Sequence, residues 1–175
     1  MASHKRKKNI GLYMKNIITR KLKLPFKIVG NNIQEIIHHT LKNKLEGKCI
    51  KEGFIKPNSI QIINYSAGII DGSYVLFEVM MECLVCRPVE GMKIRCIIKN
   101  ITKAGIRAEI SLQPSPVIIF IARDHNYQSN YFSSRKEGDE ISVLVIGERF
   151  ELNDKYISII AMILEPRKKK LKKKK

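Results

Sequence analysis

The chain has 175 residues, 44% of them hydrophobic, and a formal net charge of +17 at pH 7. This length and apolar content predict one or two domains, each with a hydrophobic core. No apolar run reaches the roughly 18 residues of a membrane-spanning helix, and the first ten residues lack the apolar stretch of a signal peptide. We therefore expect a soluble intracellular protein whose four cysteines are free thiols rather than disulfides.

Most of the positive charge lies at the two ends of the chain. Residues 5–8 contribute four positive charges, and residues 167–175 contribute eight with no acidic residue, which leaves +5 for the remainder. We predict that residues 1–8 and 166–175 are disordered basic arms, because clustered like charges repel one another until a polyanion neutralises them. Nucleic-acid binding, nuclear targeting and a solubilising role are the alternatives for these arms.

Two elements are predicted before residue 48. Residues 9–18 alternate apolar and polar positions, which indicates a short half-buried strand. Residues 31–47 predict a helix, with Asn32 and Glu35 in an N-terminal cap arrangement and Gly47 as the stop signal. The apolar stripe of this helix consists of Ile33, Ile36, Ile37, Leu41 and Leu45.

From residue 48 onward the apolar pattern has a period of two, which is typical of strands. Segments 48–55, 59–66 and 73–87 are predicted strands, and Asp71-Gly72 supplies a turn before the last of them. The first half of the chain is therefore predicted as a strand, a helix and an antiparallel sheet.

After Pro88 the chain contains five short β segments separated by turn residues. Five strands within about 75 residues predict a small closed barrel, for which the OB-fold is the standard five-stranded case. The predicted fold class is α+β, with the domain joint at residues 89–91. The five segments are residues 92–100, 105–110, 117–122, 140–149 and 155–163.

Cys83 and Cys86 form a Cys-x-x-Cys pair on the last predicted strand of the first half. Residues three apart on a strand point to opposite faces, so a regular strand cannot direct both thiolates to one metal ion. A structural zinc site needs about four converging ligands, and a thioredoxin-type pair opens a helix. We interpret the two cysteines as packing residues, with a metal site and a redox pair as the alternatives.

No motif in the sequence carries catalytic chemistry. The chain has no glycine-rich phosphate loop, no Gly-x-Ser-x-Gly and no His-Glu-x-x-His. We therefore predict a binding module with no catalytic residues, no metal site and no cofactor.

The second half resembles the S-one RNA-binding domain, an OB-fold repeat found in many RNA-binding proteins. The resemblance rests on the Gly91 start, the ITKAG turn, KEGDEISVLV and NDKYISI, which occur in this order. It implies an RNA-binding barrel.

A narrower resemblance covers about residues 10–164. The segments SPVIIFIARDH, VIGERFELNDKYISI and LEGKCIKEGFI, with the joint around Arg87-Pro88, are similar to the larger stalk subunit of archaeal and eukaryotic RNA polymerases, the seventh-subunit family. The resemblance implies a non-catalytic subunit with two domains. The tip domain (9–88) is expected to dock on the polymerase core, and the OB-fold domain (89–165) is expected to contact nascent RNA during initiation and elongation. It also implies a smaller stalk subunit as partner, no membrane contact, and a location in the nucleus, a viral transcription compartment or a virion.

The candidate RNA-binding residues are Lys103, Arg107, Phe120 and Arg123. Ala104 and Arg107 stand where RNA-binding relatives often have aromatic residues, and Phe120 matches a third such position. One aromatic residue predicts weak binding, because base stacking contributes roughly 1–3 kcal/mol per aromatic side chain. Solvated charge and ordinary burial are the alternatives for these side chains.

The candidate polymerase-docking residues are Gly68, Ile69, Ile70, Asp71 and Gly72. The family tends to have a longer, Pro-Gly-rich turn at this place, so a simple hairpin is the alternative.

A free-standing OB-fold RNA-binding protein of translation or RNA processing is the alternative function.

The loop between the third and fourth barrel strands adds Tyr127, Tyr131 and Phe132, which either pack on the barrel or contact RNA.

Overall fold

The computed structural model describes residues 11–127 and 129–165 and divides them into two compact units. The first unit contains residues 11–87 and 151–155, and the second contains residues 88–150 and 156–165. The second unit is therefore interrupted in sequence by five residues that belong to the first. Both predicted basic arms lie outside the described residues, and the division into arms, tip domain and OB-fold domain stays a prediction.

The first unit is a six-stranded sheet with one long helix. The central strand β6 pairs antiparallel with β1 along one edge and with β3, β4 and β5 along the other. A turn of 3-10 helix, Phe26–Ile28, follows β1. The elements are β1 (Tyr13–Pro25), α1 (Ile33–Leu45), β2 (Cys49–Ile50), β3 (Gly53–Ile55), β4 (Gln61–Tyr65), β5 (Ile69–Asp71) and β6 (Tyr74–Cys86).

Strand β1 is longer than the alternation of residues 9–18 predicts, because it continues to Pro25. The inward positions of its second half are Ile18, Arg20, Leu22 and Leu24, so one charged residue interrupts the apolar pattern. Arg20 is accommodated there by an ion pair with Glu52, which lies 32 residues away in sequence. The alternation resumes at Leu22 and Leu24, so a local signal for the second half is present but is interrupted at Arg20.

Helix α1 covers the inner face of the sheet and confirms the predicted apolar stripe. Ile37 and Leu41 are buried in one cluster with inward residues of β1 and β6. The helix ends where predicted, and Gly47 follows it with a φ of +70°. The predicted cap is wrong in one respect, because the Asn32 side chain makes no capping hydrogen bond.

The second unit is a closed five-stranded barrel with strand order β10-β11-β9-β8-β7, as the five β segments predict. All neighbours pair antiparallel except β9 and β11, which are parallel and close the barrel. The loop after β9 contains a helical turn, α2, that the sequence did not predict. The elements are β7 (Lys93–Ile101), β8 (Gly105–Glu109), β9 (Val117–Ala122), α2 (Asn130–Ser133), β10 (Glu140–Arg149) and β11 (Ile157–Leu164).

The four cysteines are free thiols and all are buried. Cys83 lies on the inner face of β6 with Met81 and Val85, whereas Cys86 lies opposite Tyr13 of β1. Desolvation raises the pKa of the Cys83 thiol to about 11, so it is protonated at neutral pH. In residues 11–127 and 129–165, no group of three or more His, Cys, Asp or Glu side chains is placed to hold a metal ion.

The described chain is mostly β, and it confirms the five-stranded barrel while leaving the tip arrangement as a prediction. None of the helices in this part of the chain has the length and apolar character to span a membrane.

Candidate nucleic-acid interface

Three side chains form a row across the outside of the barrel: two of the predicted RNA-binding residues and one neighbour on β11. Arg107 on β8 lies opposite Phe120 on β9, and Phe120 lies opposite Ile160 on β11. Directly opposed residues project from the same face of a sheet. Phe120 is 44% exposed and Ile160 is 50% exposed. Together with Met162, two positions further along β11, these residues form what we term the barrel face.

The positive charge of the barrel face is partly compensated within the chain. The Arg107 guanidinium contacts the Glu109 carboxylate at 3.2 Å, and both side chains are at least partly exposed. An exposed pair of this kind contributes little to stability, but it lowers the positive potential beside Phe120.

Arg123 follows β9 and lies beside the turn that carries Lys103. The backbone N–H of Arg123 donates to the Ala104 carbonyl at 3.0 Å, and its guanidinium donates to the Thr102 carbonyl at 3.4 Å. Arg123 is therefore held beside the turn that carries Lys103. Three residues of strand, about 10 Å, separate this pair from the Arg107–Phe120 pair.

Gly105 brings that turn against β9. A Cβ atom at this position would overlap the carbonyl oxygen of Ile121, so a side chain cannot be accommodated without a backbone shift. Gly105 therefore allows the close packing of the ITKAG turn on β9, where Arg123 bonds the carbonyls of Thr102 and Ala104.

The aromatic residues of the loop after β9 divide into different roles. Phe132 is buried, and the Arg123 guanidinium lies 5.8 Å from its ring centroid, so Phe132 packs the loop and is not an RNA contact. Tyr131 is partly buried and lies 4.2 Å from the Arg135 guanidinium. Tyr127 is 74% exposed and stays a candidate contact.

Sequence reasoning missed three residues of this surface: Glu109, Ile160 and Met162. A signal for Ile160 was present, since Ile159 and Ile160 are adjacent on one strand and only one of them can face the core. No local signal marks Glu109 as the partner of Arg107.

The predicted docking residues form the exposed end of the β5–β6 hairpin. Asp71 lies opposite Tyr74, and the two-residue loop between them begins with Gly72 at a φ of +60°, which fits a type II′ turn. Ile69 and Ile70 are 66% and 68% exposed. Asp71 also accepts a 2.8 Å hydrogen bond from Lys23, which raises the pKa of that lysine.

Gly68 fixes the base of this hairpin. An added Cβ would lie 2.5 Å from Cγ1 of Val75 and 3.0 Å from the ring of Phe77. The structure therefore brings the five docking candidates together at one sheet corner, as their adjacency in sequence requires.

The closed barrel and its strand order define a protein of the OB-barrel class. No family model matches the sequence. The chain is 30% identical over 173 residues to the putative DNA-directed RNA polymerase subunit L376 of Acanthamoeba polyphaga mimivirus, covering 88% of this chain and 83% of that protein.

Two plant proteins are similar over nearly the same range. DNA-directed RNA polymerase II subunit RPB7 of Glycine max is 27% identical over 155 residues, covering 79% of this chain and 85% of the relative. DNA-directed RNA polymerase II subunit 7 of Arabidopsis thaliana is 28% identical over 153 residues, covering 77% and 84%. The chain belongs to the RPB7-like family of DNA-directed RNA polymerase subunits, which confirms the resemblance found in the sequence.

Proposed function

We propose that the chain is a non-catalytic stalk subunit of a DNA-dependent RNA polymerase, which docks on the core enzyme through the β5–β6 hairpin and contacts nascent RNA through the barrel face. In this role it aids initiation and elongation. Family membership supports a place in the polymerase, and the two surfaces support the division of roles.

The observation that carries the docking role is the pair of exposed isoleucines at the hairpin end. Ile69 and Ile70 are consecutive, so they project from opposite faces of a short strand and neither face covers its isoleucine. Exposed apolar residues grouped at one place mark protein contact sites. We propose the polymerase core as that contact, with a smaller stalk subunit as a further partner.

The barrel face suits single-stranded RNA of variable sequence. Phe120 offers one stacking surface, Arg107 can stack or contact phosphate, and Lys103 with Arg123 adds charge at one end. The basic segments 5–8 and 167–175 supply further phosphate contacts. RNA binding by the barrel alone is then weak and depends on the polymerase holding the transcript nearby.

The relatives also support a location where transcription occurs, in the nucleus or in a viral transcription compartment. Similarity to the mimivirus subunit favours a viral origin for the chain. The barrel alone would also suit a free-standing role in translation or RNA processing, but the similarity to polymerase subunits over both units favours the polymerase.

Two matched variants test the division of roles in the full-length chain. Ile69→Ser with Ile70→Ser removes exposed apolar groups from the hairpin, and Phe120→Ser with Ile160→Ser does the same on the barrel face. Affinity purification of tagged protein is expected to recover the large polymerase subunits with the barrel variant but not with the hairpin variant.

Crosslinking to transcripts is then measured in reconstituted polymerase. The barrel variant is expected to crosslink less than the unaltered chain, although it still assembles with the polymerase. Recovery of ribosomes or RNA alone by the unaltered chain would reject the polymerase role. Equal recovery of polymerase by both variants would reject the hairpin as the docking site.

A further inference from the structure

The two units differ in net charge. The barrel unit resembles an RNA-binding domain, but it is the less basic of the two. The first unit has twelve lysines and arginines against eight acidic residues over residues 11–87 and 151–155, a net charge of +4. The barrel unit has nine against eight over residues 88–150 and 156–165, a net charge of +1. The positive charge of the described chain is therefore concentrated outside the barrel.

Five of the lysines in the first unit fall within residues 42–56, which we term the lysine segment. It runs from the last turn of α1 through the β2–β3 hairpin. Four of the five are exposed and one is partly buried. They are Lys42, Lys44, Lys48, Lys51 and Lys56.

The two acidic residues within the segment do not compensate these lysines. Glu46 accepts hydrogen bonds from the backbone N–H groups of residues 58, 59 and 60 at 2.8–3.1 Å. Glu52 pairs with Arg20 of β1. Among residues 11–127 and 129–165, none of the five lysines forms an ion pair with a carboxylate.

Backbone and side-chain contacts hold the helix end against the hairpin. The Lys48 ammonium donates to the Asn43 carbonyl at 3.1 Å, close to Lys44. The Ile55 N–H donates to the Lys48 carbonyl at 3.0 Å, which places Lys56 next to the same connection. The lysine segment is thus a compact part of the fold and not an extended run.

The Lys56 ammonium also contacts an aromatic ring of β1. It lies 5.5 Å from the ring centroid of Tyr13, the first residue of that strand.

A structural role accounts for only part of this pattern. Lysines near a helix C-terminus offset its negative dipole, which explains Lys42, Lys44 and Lys48. Lys51 and Lys56 lie on the hairpin, where no helix end requires a cation. Both side chains are exposed, so they are accessible to an external anion.

We propose that the lysine segment is a second nucleic-acid surface, which binds the phosphodiester backbone and shares no residue with the barrel face. Lysine is depleted in protein–protein interfaces, and the segment contains no exposed large apolar residue, so a protein partner fits it less well. Without an aromatic platform it contacts phosphates and reads no base sequence. RNA and DNA share this backbone, and the test separates them.

The test compares two triple variants of the full-length chain with the same change in charge. Lys44→Gln, Lys51→Gln and Lys56→Gln alter the proposed surface. Lys21→Gln, Lys23→Gln and Lys27→Gln form the control, because they lie in the same unit near the opposite end of the roughly 40 Å long β1. Circular dichroism first establishes that both variants are folded.

Fluorescence anisotropy with labelled oligouridine, single-stranded DNA and duplex DNA is then measured from 50 to 200 mM salt. Each lost contact to a single strand lowers the slope of log K against log salt by about 0.7, so the first triple variant is expected to lose about two from the slope for its preferred nucleic acid. The control is expected to lose less than half of that. The form of nucleic acid that shows the difference identifies the ligand.

Equal slopes for the two triple variants with all three probes would overturn the proposal. It would also be overturned if the first triple variant lost binding to poly-glutamate but kept its nucleic-acid slope, since the surface would then serve an acidic protein. Phe120→Leu, measured in parallel, reports on the barrel face. A loss there with unchanged lysine variants would leave the proposed function intact and reject only the second surface.

Discussion

The barrel and the first unit expose different chemistry. The barrel unit has a net charge of only +1, and its barrel face presents the ring of Phe120 beside two apolar side chains, Ile160 and Met162. The first unit has a net charge of +4 and presents uncompensated lysines at one place and bare isoleucines at another. Under the two proposals, the barrel is expected to supply base contacts and the lysine segment of the first unit is expected to supply phosphate contacts.

The largest expected effect is destabilisation of the barrel. Gly105→Ala places a methyl group against the Ile121 carbonyl oxygen, and the backbone of β8 and β9 must separate to accept it. We expect a loss of about 3 kcal/mol in the free energy of unfolding. Urea denaturation followed by circular dichroism measures it.

Gly147→Ala is the matched control for this substitution. Gly147 also lies in a barrel strand, but no atom lies within 4 Å of an added Cβ and its backbone is not left-handed. We expect this variant to unfold within about 0.5 kcal/mol of the unaltered chain. A Gly105→Ala variant as stable as the control would show that the turn shifts freely, and the placement of Arg123 beside Lys103 would lose its support.

The second prediction concerns charge outside both units. Deleting Arg167–Lys175 is expected to flatten the salt dependence of RNA binding and to weaken binding roughly 10- to 100-fold at low salt, because eight cations no longer displace counterions from phosphates. Anisotropy titrations at several salt concentrations provide the slope. A tail of the same length with glutamine at each basic position separates charge from length, and an unchanged slope in both variants would assign the tail to targeting or spacing.

The structure shows which parts of this comparison the sequence could provide. The five barrel strands follow from period-two patterns and turns, because each pattern is local. Arg20 interrupts the alternation of β1 before Leu22 and Leu24, and its partial burial could not be predicted because its partner Glu52 is distant in sequence. Phe132 could not be assigned from sequence either, because its burial depends on how the α2 loop folds onto the barrel.

The candidate site was predictable to a similar extent. Alternation places Arg107 and Phe120 on the outside of their strands, but their direct opposition depends on the register between β8 and β9. The parallel pairing of β9 with β11 adds Ile160 to the row, and strand order is not encoded locally. Charge compensation inside the lysine segment likewise required the backbone partners of Glu46.

The third prediction asks whether the barrel face stacks bases or only buries apolar surface. Phe120→Leu keeps an apolar side chain and removes the ring, so we expect a loss of about 1 kcal/mol in RNA affinity, roughly fivefold. Ile160→Ala removes apolar area from the same row without removing a ring and is expected to change affinity at most about twofold. Equal losses would indicate that the face is an apolar contact, and the aromatic would have no special role.

The smallest expected effect tests the compensated charge on the barrel. Glu109→Gln releases Arg107 from its 3.2 Å ion pair and removes a negative charge beside Phe120, so RNA affinity should rise about two- to threefold at low salt. Glu140→Gln makes the same change in net charge on an exposed position of β10 and is expected to raise affinity less. If both variants raise affinity equally, RNA responds only to the net charge of the barrel. A larger rise for Glu109→Gln would place RNA next to Arg107. It would mean that the ion pair with Glu109 weakens RNA binding, because a transcript phosphate must compete with the Glu109 carboxylate for the Arg107 guanidinium.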